Sequence, residues 1–306
     1  MKIHLLFIGF FLSVAPYAKA QTSNLNSQTS ILYDPQQFRK TIPAGNYSGI
    51  APLGDNRYAV VSDKSKEDGF FIFHLDIDTL KGKIVAAQNE GFFSSGLKNR
   101  DIEGIAYCPS SATLFISGEA DNDIYEYTLN GKRTGRKLAM PDCFHHSKGN
   151  LGLESLTYDA QSHRFFTTSE RTLPGDSLLR IQSFGDDLQP LRQYLYRPDE
   201  AINRKYYYGV AALCALNDGR LLVLERQIRV PRLKLGAKTL IRLYEVNPAG
   251  NTFLQKRLLL EFYTYNHRFA NFEGMCMSYP GWLLLIADSQ DQQAGLLRDW
   301  FRLVRL

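Results

Sequence analysis

The stretch IEGIAYCPSSATLFISGE, residues 102–119, contains two short apolar runs joined by a polar turn, and it ends in an acid. The same template recurs at residues 47–63, 153–170, 208–225 and 272–288. From the second residue of each repeat to its closing acid, the spacing is 15, 16, 16, 16 and 15 residues. This constancy is typical of two antiparallel strands joined by a tight turn.

Successive repeats begin 55, 51, 55 and 64 residues apart, which suits a four-stranded propeller blade rather than a helical solenoid. Each period holds further strand-like segments bounded by Gly, Asn and Pro, and no long segment has a helical period. The sequence therefore predicts an all-β, five-bladed β-propeller over residues 31–306. A six-bladed ring is the alternative, with a blade hidden in the 64-residue period.

The two ends of the propeller region predict how the ring closes. After the fifth repeat only one more strand fits, at residues 295–306, so the last blade lacks its outermost strand. The segment 31–42 precedes the first repeat and has no partner there. We expect this N-terminal strand to complete the last blade, because closure removes an exposed sheet edge.

The N-terminus has the pattern of a secretory signal peptide over residues 1–20. Lys2 precedes an apolar run at 5–14, and small residues at 18 and 20 mark a cleavage site near Ala20. The run is too short to span a bilayer. We therefore expect a periplasmic or secreted protein, with residues 21–30, rich in Ser, Asn, Thr and Gln, as a disordered lead-in.

Composition excludes several function classes. The net charge is +5, and no Lys/Arg cluster alternates with aromatics, so no nucleic-acid partner is indicated. Later apolar runs are too short to cross a membrane. There is no C-x-x-C, G-x-S-x-G, Walker or H-E-x-x-H motif. The four cysteines are far apart in sequence, and either one disulfide or buried free thiols would fit the compartment. They are Cys108, Cys143, Cys214 and Cys276.

Acidic residues recur at two positions of the template, and the propeller topology brings both to one mouth of the central channel. The closing acid is present in all five repeats, which favours a role in the fold through backbone N–H bonds. These closing acids are Asp63, Glu119, Glu170, Glu225 and Asp288.

The opening glutamates Glu103, Glu154 and Glu273 occur in three repeats only, whereas Ser48 and Gly209 stand in the other two. The fold therefore does not require an acid there. Three glutamates near one axis would repel one another unless a cation lay among them. We expect them to bind a divalent cation, Ca²⁺ first, with a hydrogen-bonded structural role as the alternative.

Polar neighbours extend this predicted site. Arg171 and Arg226 follow closing acids and could hold an anionic substrate group in a bidentate fork, or simply pair with the adjacent glutamate. The pair His145-His146 could supply an acid or base, or be an exposed loop pair. The residues expected to bind substrate are Arg100, Asn150, Asn271, Glu170 and Glu225.

The motifs DIEGIA (101–106), NLGLE (150–154), SER (169–171), LER (224–226) and NFEG (271–274) occur in this order. Together they resemble the phytase-like family with esterase-like activity. The resemblance implies an exported bacterial propeller that hydrolyses esters or phosphoesters. One departure is Gly118 before Glu119, where the third repeat has Ser169. The family's recurring acids and arginines fall on Glu103, Glu154, Glu170, Arg171, Glu225, Arg226 and Glu273.

Two functions follow as hypotheses. The first is a cation-assisted hydrolase of a small phosphoester or carboxylic ester, in which Glu154, Arg171 and Arg226 are catalytic and the cation holds the developing oxyanion. The second is a non-catalytic propeller that binds a ligand or a cell-surface partner, since propellers host many functions. The arginine pair favours the first hypothesis, and the lack of a recognisable nucleophile or base favours the second.

Overall fold

A computed structural model of the chain describes residues 30–146, 152–231, 236–289 and 299–306. The described chain is built from β-strands, with two short 3₁₀ helices at Asp142–His146 and Asn266–Arg268. The strands are β1 (Ile31–Leu32), β2 (Tyr47–Gly54), β3 (Arg57–Ser62), β4 (Glu67–Asp78), β5 (Lys83–Lys98), β6 (Ile102–Cys108), β7 (Thr113–Gly118), β8 (Asp123–Thr128), β9 (Arg133–Lys137), β10 (Leu153–Asp159), β11 (Arg164–Ser169), β12 (Leu179–Gly185), β13 (Pro190–Tyr196), β14 (Tyr207–Ala215), β15 (Leu221–Arg229), β16 (Lys238–Val246), β17 (Lys256–Tyr265), β18 (Asn271–Tyr279), β19 (Trp282–Asp288) and β20 (Phe301–Arg305).

These strands form five antiparallel sheets of four strands, and the sheets are the blades of a ring. Blade 1 is β2 to β5, blade 2 is β6 to β9, blade 3 is β10 to β13 and blade 4 is β14 to β17. Blade 5 has the order β18-β19-β20-β1. The five innermost strands contact one another around the axis. The predicted five-bladed propeller is therefore confirmed, and the fourth period holds a single blade with long strands.

The ring is closed by the N-terminal strand, as the sequence predicts. Ile31 pairs with Arg305 and Leu32 with Val304. The regular strand is shorter than the predicted segment 31–42, because Pro35 has no N–H to donate to the ladder. The chain nevertheless stays beside β20, since the Gln36 N–H donates to the Phe301 carbonyl at 2.8 Å.

The hydrophobic core lies mainly between adjacent blades. Phe115 of blade 2 and Phe165 of blade 3, for example, have ring centroids 4.5 Å apart. The four cysteines are free thiols; three are buried and Cys143 is half-buried. Within the described ranges, no helix has the length and apolar character needed to cross a membrane.

Candidate functional site

A cavity of about 520 Å³ opens at one mouth of the central channel. Its lining carries seven carboxylic side chains against two basic ones, so its field attracts cations. Among the described residues it is lined by Asn46, Asp63, Lys64, Glu103, Glu119, Glu154, Glu170, Tyr207, Arg226, Ile228, Asn271, Glu273 and Asp288. The structure thus brings the three opening glutamates and four of the closing acids together.

β-Bulges in the inner strands place the opening residues. Blade 1 shifts register around Ser48, blade 3 around Glu154 and blade 5 around Glu273. A bulge inserts one residue into a strand and redirects its side chain. In blade 4 the shift falls between Val210 and Ala212, two residues later than the sequence template implies.

This later bulge corrects the alignment of the fourth repeat. Gly209 pairs with Arg226, just as Asn271 pairs with the closing acid Asp288 in blade 5. Arg226, and not Glu225, therefore holds the closing position of blade 4. The mouth of the channel carries four closing acids and one closing arginine.

The guanidinium of Arg226 lies among carboxylates from the two neighbouring blades, 3 and 5. Its Nη2 donates to Glu154 Oε1 at 3.1 Å and to Glu170 Oε1 at 3.0 Å. Its Nη1 donates to Asn271 Oδ1 at 2.9 Å and to Glu273 Oε1. Burial alone would lower the pKa of Arg226, but the charges of Glu170 and Glu154 raise it, so the guanidinium stays charged. Arg226 thus holds a positive charge between two of the three predicted cation ligands.

Glu103 belongs to a second cluster, with Asp63 and Asp101. One carboxylate oxygen from each residue lies within 4.8 Å of the others. The Lys64 ammonium stands beside them, 2.7 Å from Asp63 Oδ2 and 3.1 Å from Asp101 Oδ1. Asp63 Oδ1 is buried and accepts no hydrogen bond from the described residues.

Glu103 is the buried member of this cluster, and its pKa is strongly shifted. Only 8% of the residue is exposed, and none of the described residues donates a hydrogen bond to its carboxylate. Burial, followed by the charges of Glu154 and Asp63, raises the pKa of Glu103 well above its ordinary value. Burial also raises the pKa of Glu154, where Glu170 adds to the shift and Arg226 opposes it.

Glu119 lies between the two clusters. Its Oε1 accepts the backbone N–H of Gly152 at 3.0 Å. Its Oε2 accepts no hydrogen bond from the described part of the chain. Burial raises the pKa of Glu119 to about 7, with smaller contributions from the charges of Asp101 and Glu170. A carboxylate in this state is suited to exchanging protons near neutral pH.

Asn99 fixes the two loops that carry Asp63 and Asp101. Its side-chain N–H groups donate to the carbonyls of Ser62, Asp63 and Ser65 at 3.1, 3.0 and 2.8 Å. Its side-chain oxygen accepts the Ile102 N–H at 3.2 Å, at the start of β6. One half-buried amide therefore ties the end of blade 1 to the beginning of blade 2.

Other predicted site residues lie away from the cavity. Arg100 is buried in blade 2 and donates to Asp121 Oδ1 at 2.7 Å. Glu225 faces the opposite side of β15 from Arg226, since neighbouring residues of a strand alternate. There it accepts from Lys256 Nζ at 2.7 Å. Neither side chain reaches the cavity, in contrast to the prediction that they bind substrate.

The remaining predicted residues have mixed placements. Asn271 lines the cavity and bonds both Arg226 and Glu273. The guanidinium carbon of Arg171 lies 3.9 Å from the centroid of the Tyr207 ring. Arg171 therefore contacts a lining residue but does not line the cavity itself. Asn150 lies outside the described residues, as do residues 1–29. His145 is exposed beside blade 2, where its Nε2 lies 3.6 Å from Asp123 Oδ1, and it does not line the cavity.

Seven cavity residues were not predicted as site residues. Three of them, Asp63, Glu119 and Asp288, were predicted only as closing acids with a role in the fold. Lys64 directly follows a closing acid, as Arg171 does, and that position was a usable signal. Asn46 precedes the first repeat as Asn271 precedes Phe272 of the fifth, which was a second usable signal. Tyr207 directly precedes the fourth repeat, but a tyrosine there does not match the amides of Asn46 and Asn271. Ile228 had no signal, because it lies beyond the end of the repeat in the long hairpin of blade 4.

The fold and cavity define a five-bladed propeller with an acidic site at one channel mouth. Residues 42–290 match the family described as "Phytase-like: Esterase-like activity of phytase", and the chain belongs to this family. The matched segment contains every opening and closing residue of the cavity. No curated protein sequence gave a significant match.

Solved structures offer remote similarities. The nidogen/laminin complex shares 14% identity at a TM-score of 0.45, covering 87% of both chains. Streptogramin B lyase shares 11% identity at a TM-score of 0.43, covering 92% of this chain and 99% of that chain. The Cps50 (Swd1) β-propeller domain of Myceliophteria thermophila shares 9% at 0.39, covering 89% and 100%. Such low scores carry no argument about the function of this chain.

Proposed function

We propose that this protein is an exported hydrolase that cleaves small carboxylic or phosphoric esters in the acidic cavity, assisted by a divalent cation on Asp63, Asp101 and Glu103. Family membership supports a hydrolase. The observation that carries the cation is Glu103, which is buried beside two further carboxylates and receives no hydrogen bond from the described residues. A buried carboxylate without donors is costly unless it is protonated or neutralised by a cation.

The chemistry of this cluster fits a hard cation. Its ligands are all carboxylate oxygens, which Ca²⁺ and Mg²⁺ prefer, and calcium suits an exported protein. Lys64 occupies one side of the cluster, so we expect its ammonium to move away when a cation binds. The bound cation would polarise the carbonyl or phosphoryl oxygen of the ester. This set shares Glu103 with the predicted trio, while Glu154 and Glu273 are paired with Arg226.

Glu119 is placed to act as the general base. One of its oxygens accepts the Gly152 N–H, the other accepts no hydrogen bond from the described residues, and the residue lines the cavity. Glu119 takes a proton from water while the water oxygen forms a bond to the ester carbon or phosphorus. The bond to the leaving oxygen then breaks, and Glu119 returns the proton to that oxygen. The products are an acid and an alcohol.

Arg226 acts as a positioning residue in this proposal. Both terminal nitrogens of its guanidinium are already used by Glu154, Glu170, Glu273 and Asn271. It therefore keeps these side chains together beside the reaction centre and does not bind the substrate itself. Positioning matters, since small displacements in an active site cost large factors in rate.

Two variants separate cation binding from turnover. We expect Glu119→Gln to bind Ca²⁺ like the wild type in calorimetry, but to hydrolyse 4-nitrophenyl acetate about 10²–10⁴-fold more slowly. Glu103→Gln should lose calcium binding. Glu90→Gln, on the outer surface of blade 1, is the matched control. If both cavity variants keep full binding and turnover, the proposal is wrong. Calcium binding by a wild type without turnover would favour the ligand-binding propeller.

A further inference from the structure

Within the described ranges, the inner hairpin of blade 4 extends further at the mouth of the cavity than those of the other blades. β3, β7 and β11 end one residue before the closing position, and β19 ends at that position. β15 instead continues three residues beyond Arg226, to Arg229. Its partner β14 begins at Tyr207, and the pairs Tyr208–Gln227 and Tyr207–Ile228 add two more rungs beyond Gly209–Arg226.

The outer of these two rungs, Tyr207–Ile228, supplies the apolar part of the cavity. Residues two apart in a strand share a face, so Ile228 lies on the same side as Arg226. Every other lining residue among those described is charged or carries an amide. Tyr207 and Ile228 therefore form a small apolar wall on an otherwise acidic cavity.

Both wall residues are held in place from behind. Ile228 packs in a buried cluster with Ala237 and Phe269. The hydroxyl of Tyr207 donates to Glu170, and its ring is covered on one face by the Arg171 guanidinium. Tyr207 keeps 38% of its surface exposed. A fixed and partly exposed aromatic ring beside a cavity is a common way to contact an apolar ligand.

The wall stands across the channel from the proposed reaction centre. In a ring of five, blade 4 faces blades 1 and 2, which carry Asp63, Asp101, Glu103 and Glu119. A small ester whose reacting bond lies at blades 1 and 2 would extend its other group towards blade 4. The cavity volume is within the usual range for a small-molecule site.

We propose that Tyr207 and Ile228 bind an apolar group of the substrate, so that the substrate is an ester with an aryl or alkyl group and little negative charge. This inference rests on the proposed function. Seven carboxylates against two basic groups oppose a polyanion, even with one divalent cation bound. The wall gives an apolar ester a contact that a polyphosphate such as phytate does not use.

A pair of nearly isosteric variants tests the wall. Ile228→Val keeps it apolar, and Ile228→Thr puts a hydroxyl in almost the same volume. With Ca²⁺ present, we expect kcat/KM for 4-nitrophenyl butyrate to be roughly tenfold lower in the Thr than in the Val variant. The value for glycerol monoacetate, a polar ester, should be equal in the two. Thermal unfolding of both variants checks that they are folded. We also expect the wild-type protein to release no phosphate from phytate.

A binding measurement separates this inference from the proposed function. N-(4-nitrophenyl)butyramide has the shape of the ester and a bond that resists hydrolysis, and calorimetry would measure its affinity for both variants. Weaker binding to the Thr variant without any ester hydrolysis would support the wall and contradict the hydrolase. Cation-dependent hydrolysis with equal Val and Thr values would support the hydrolase and overturn the wall. Rapid phosphate release from phytate would also overturn it.

Discussion

Replacing Arg226 by glutamine should destabilise the propeller more than any exposed ion-pair substitution. The guanidinium donates to Glu154 and Glu170 at 3.1 and 3.0 Å and also to Glu273, and Arg226 is only 7% exposed. Glutamine leaves three buried carboxylates without their shared cation. Removing one partner of a buried ion pair costs about 3–5 kcal/mol. For a domain of this size that corresponds to a fall in Tm on the order of 10 °C.

Urea unfolding followed by fluorescence would give the free energy of unfolding of each variant. The control is Arg57→Gln, which removes an exposed pair of 2.8 Å with Glu90 and should cost less than about 1 kcal/mol. A double variant, Arg226→Gln with Glu154→Gln, should recover part of the loss, since one unpaired carboxylate disappears. Equal stability of Arg226→Gln and Arg57→Gln would refute the described network.

The same experiment has a defined dependence on pH. Arg226 lowers the pKa of Glu154, which burial raises, so its removal should raise that pKa further. The folded variant then binds more protons than the unfolded chain, and its free energy of unfolding increases as the pH falls. The gap between variant and wild type should therefore be smaller at about pH 5 than at about pH 8. A gap that widens towards acid pH would contradict this account.

Three further predictions concern the cation cluster. Glu103→Gln should increase the free energy of unfolding at pH 8 by about 1 kcal/mol in the absence of divalent cations, because burial raises the pKa of Glu103 and such a group destabilises the fold above its ordinary pKa. Thermal scans measure this, and a lower Tm would count against the described burial. Lys64→Met should tighten calcium binding in calorimetry, because the ammonium competes for Asp63 and Asp101; weaker binding would contradict the competition. Asn99→Ala should weaken calcium binding about 10–100-fold, because it frees the two loops that carry the ligands, and unchanged affinity would show that Asn99 does not position them.

The propeller could be predicted from sequence because its repeat imposes one spacing on every blade. Polar turns, apolar strands and a constant hairpin length recur five times, and ring closure follows from the unpaired segments at the two ends. The convergence of Glu103, Glu154 and Glu273 followed from the same topology. These features depend on local pattern and on the order of strands, both of which are legible in one sequence.

The details of the site depended on features that the pattern does not encode. The bulge in blade 4 falls at Ala211, and only the strand register shows that Arg226 rather than Glu225 takes the closing position. The pairing of Arg100 inside blade 2 likewise depends on tertiary contacts with Asp121. From the sequence alone, either of two adjacent charged residues could face the channel. In a strand their side chains lie on opposite faces, so only one of them does.

The repeat also explains why the acids are tolerated. Four of the five closing positions are acidic. The remaining one, in blade 4, is Arg226, and its guanidinium neutralises part of the charge of the surrounding acids. Burial, with smaller contributions from neighbouring carboxylates, raises the pKa values of Glu103, Glu119 and Glu154. Strongly perturbed acids in a cavity are a frequent property of functional sites.

The most direct test of the account is the cation dependence of ester hydrolysis by the purified wild-type chain. Hydrolysis of 4-nitrophenyl butyrate would be followed after dialysis against a chelator, after addition of Ca²⁺, and again with Glu103→Gln under the same conditions. We predict little turnover without the cation, recovery on adding Ca²⁺, and no recovery in the variant. Turnover that is unaffected by the chelator, or equal recovery in Glu103→Gln, would contradict a cation-assisted site at Asp63, Asp101 and Glu103.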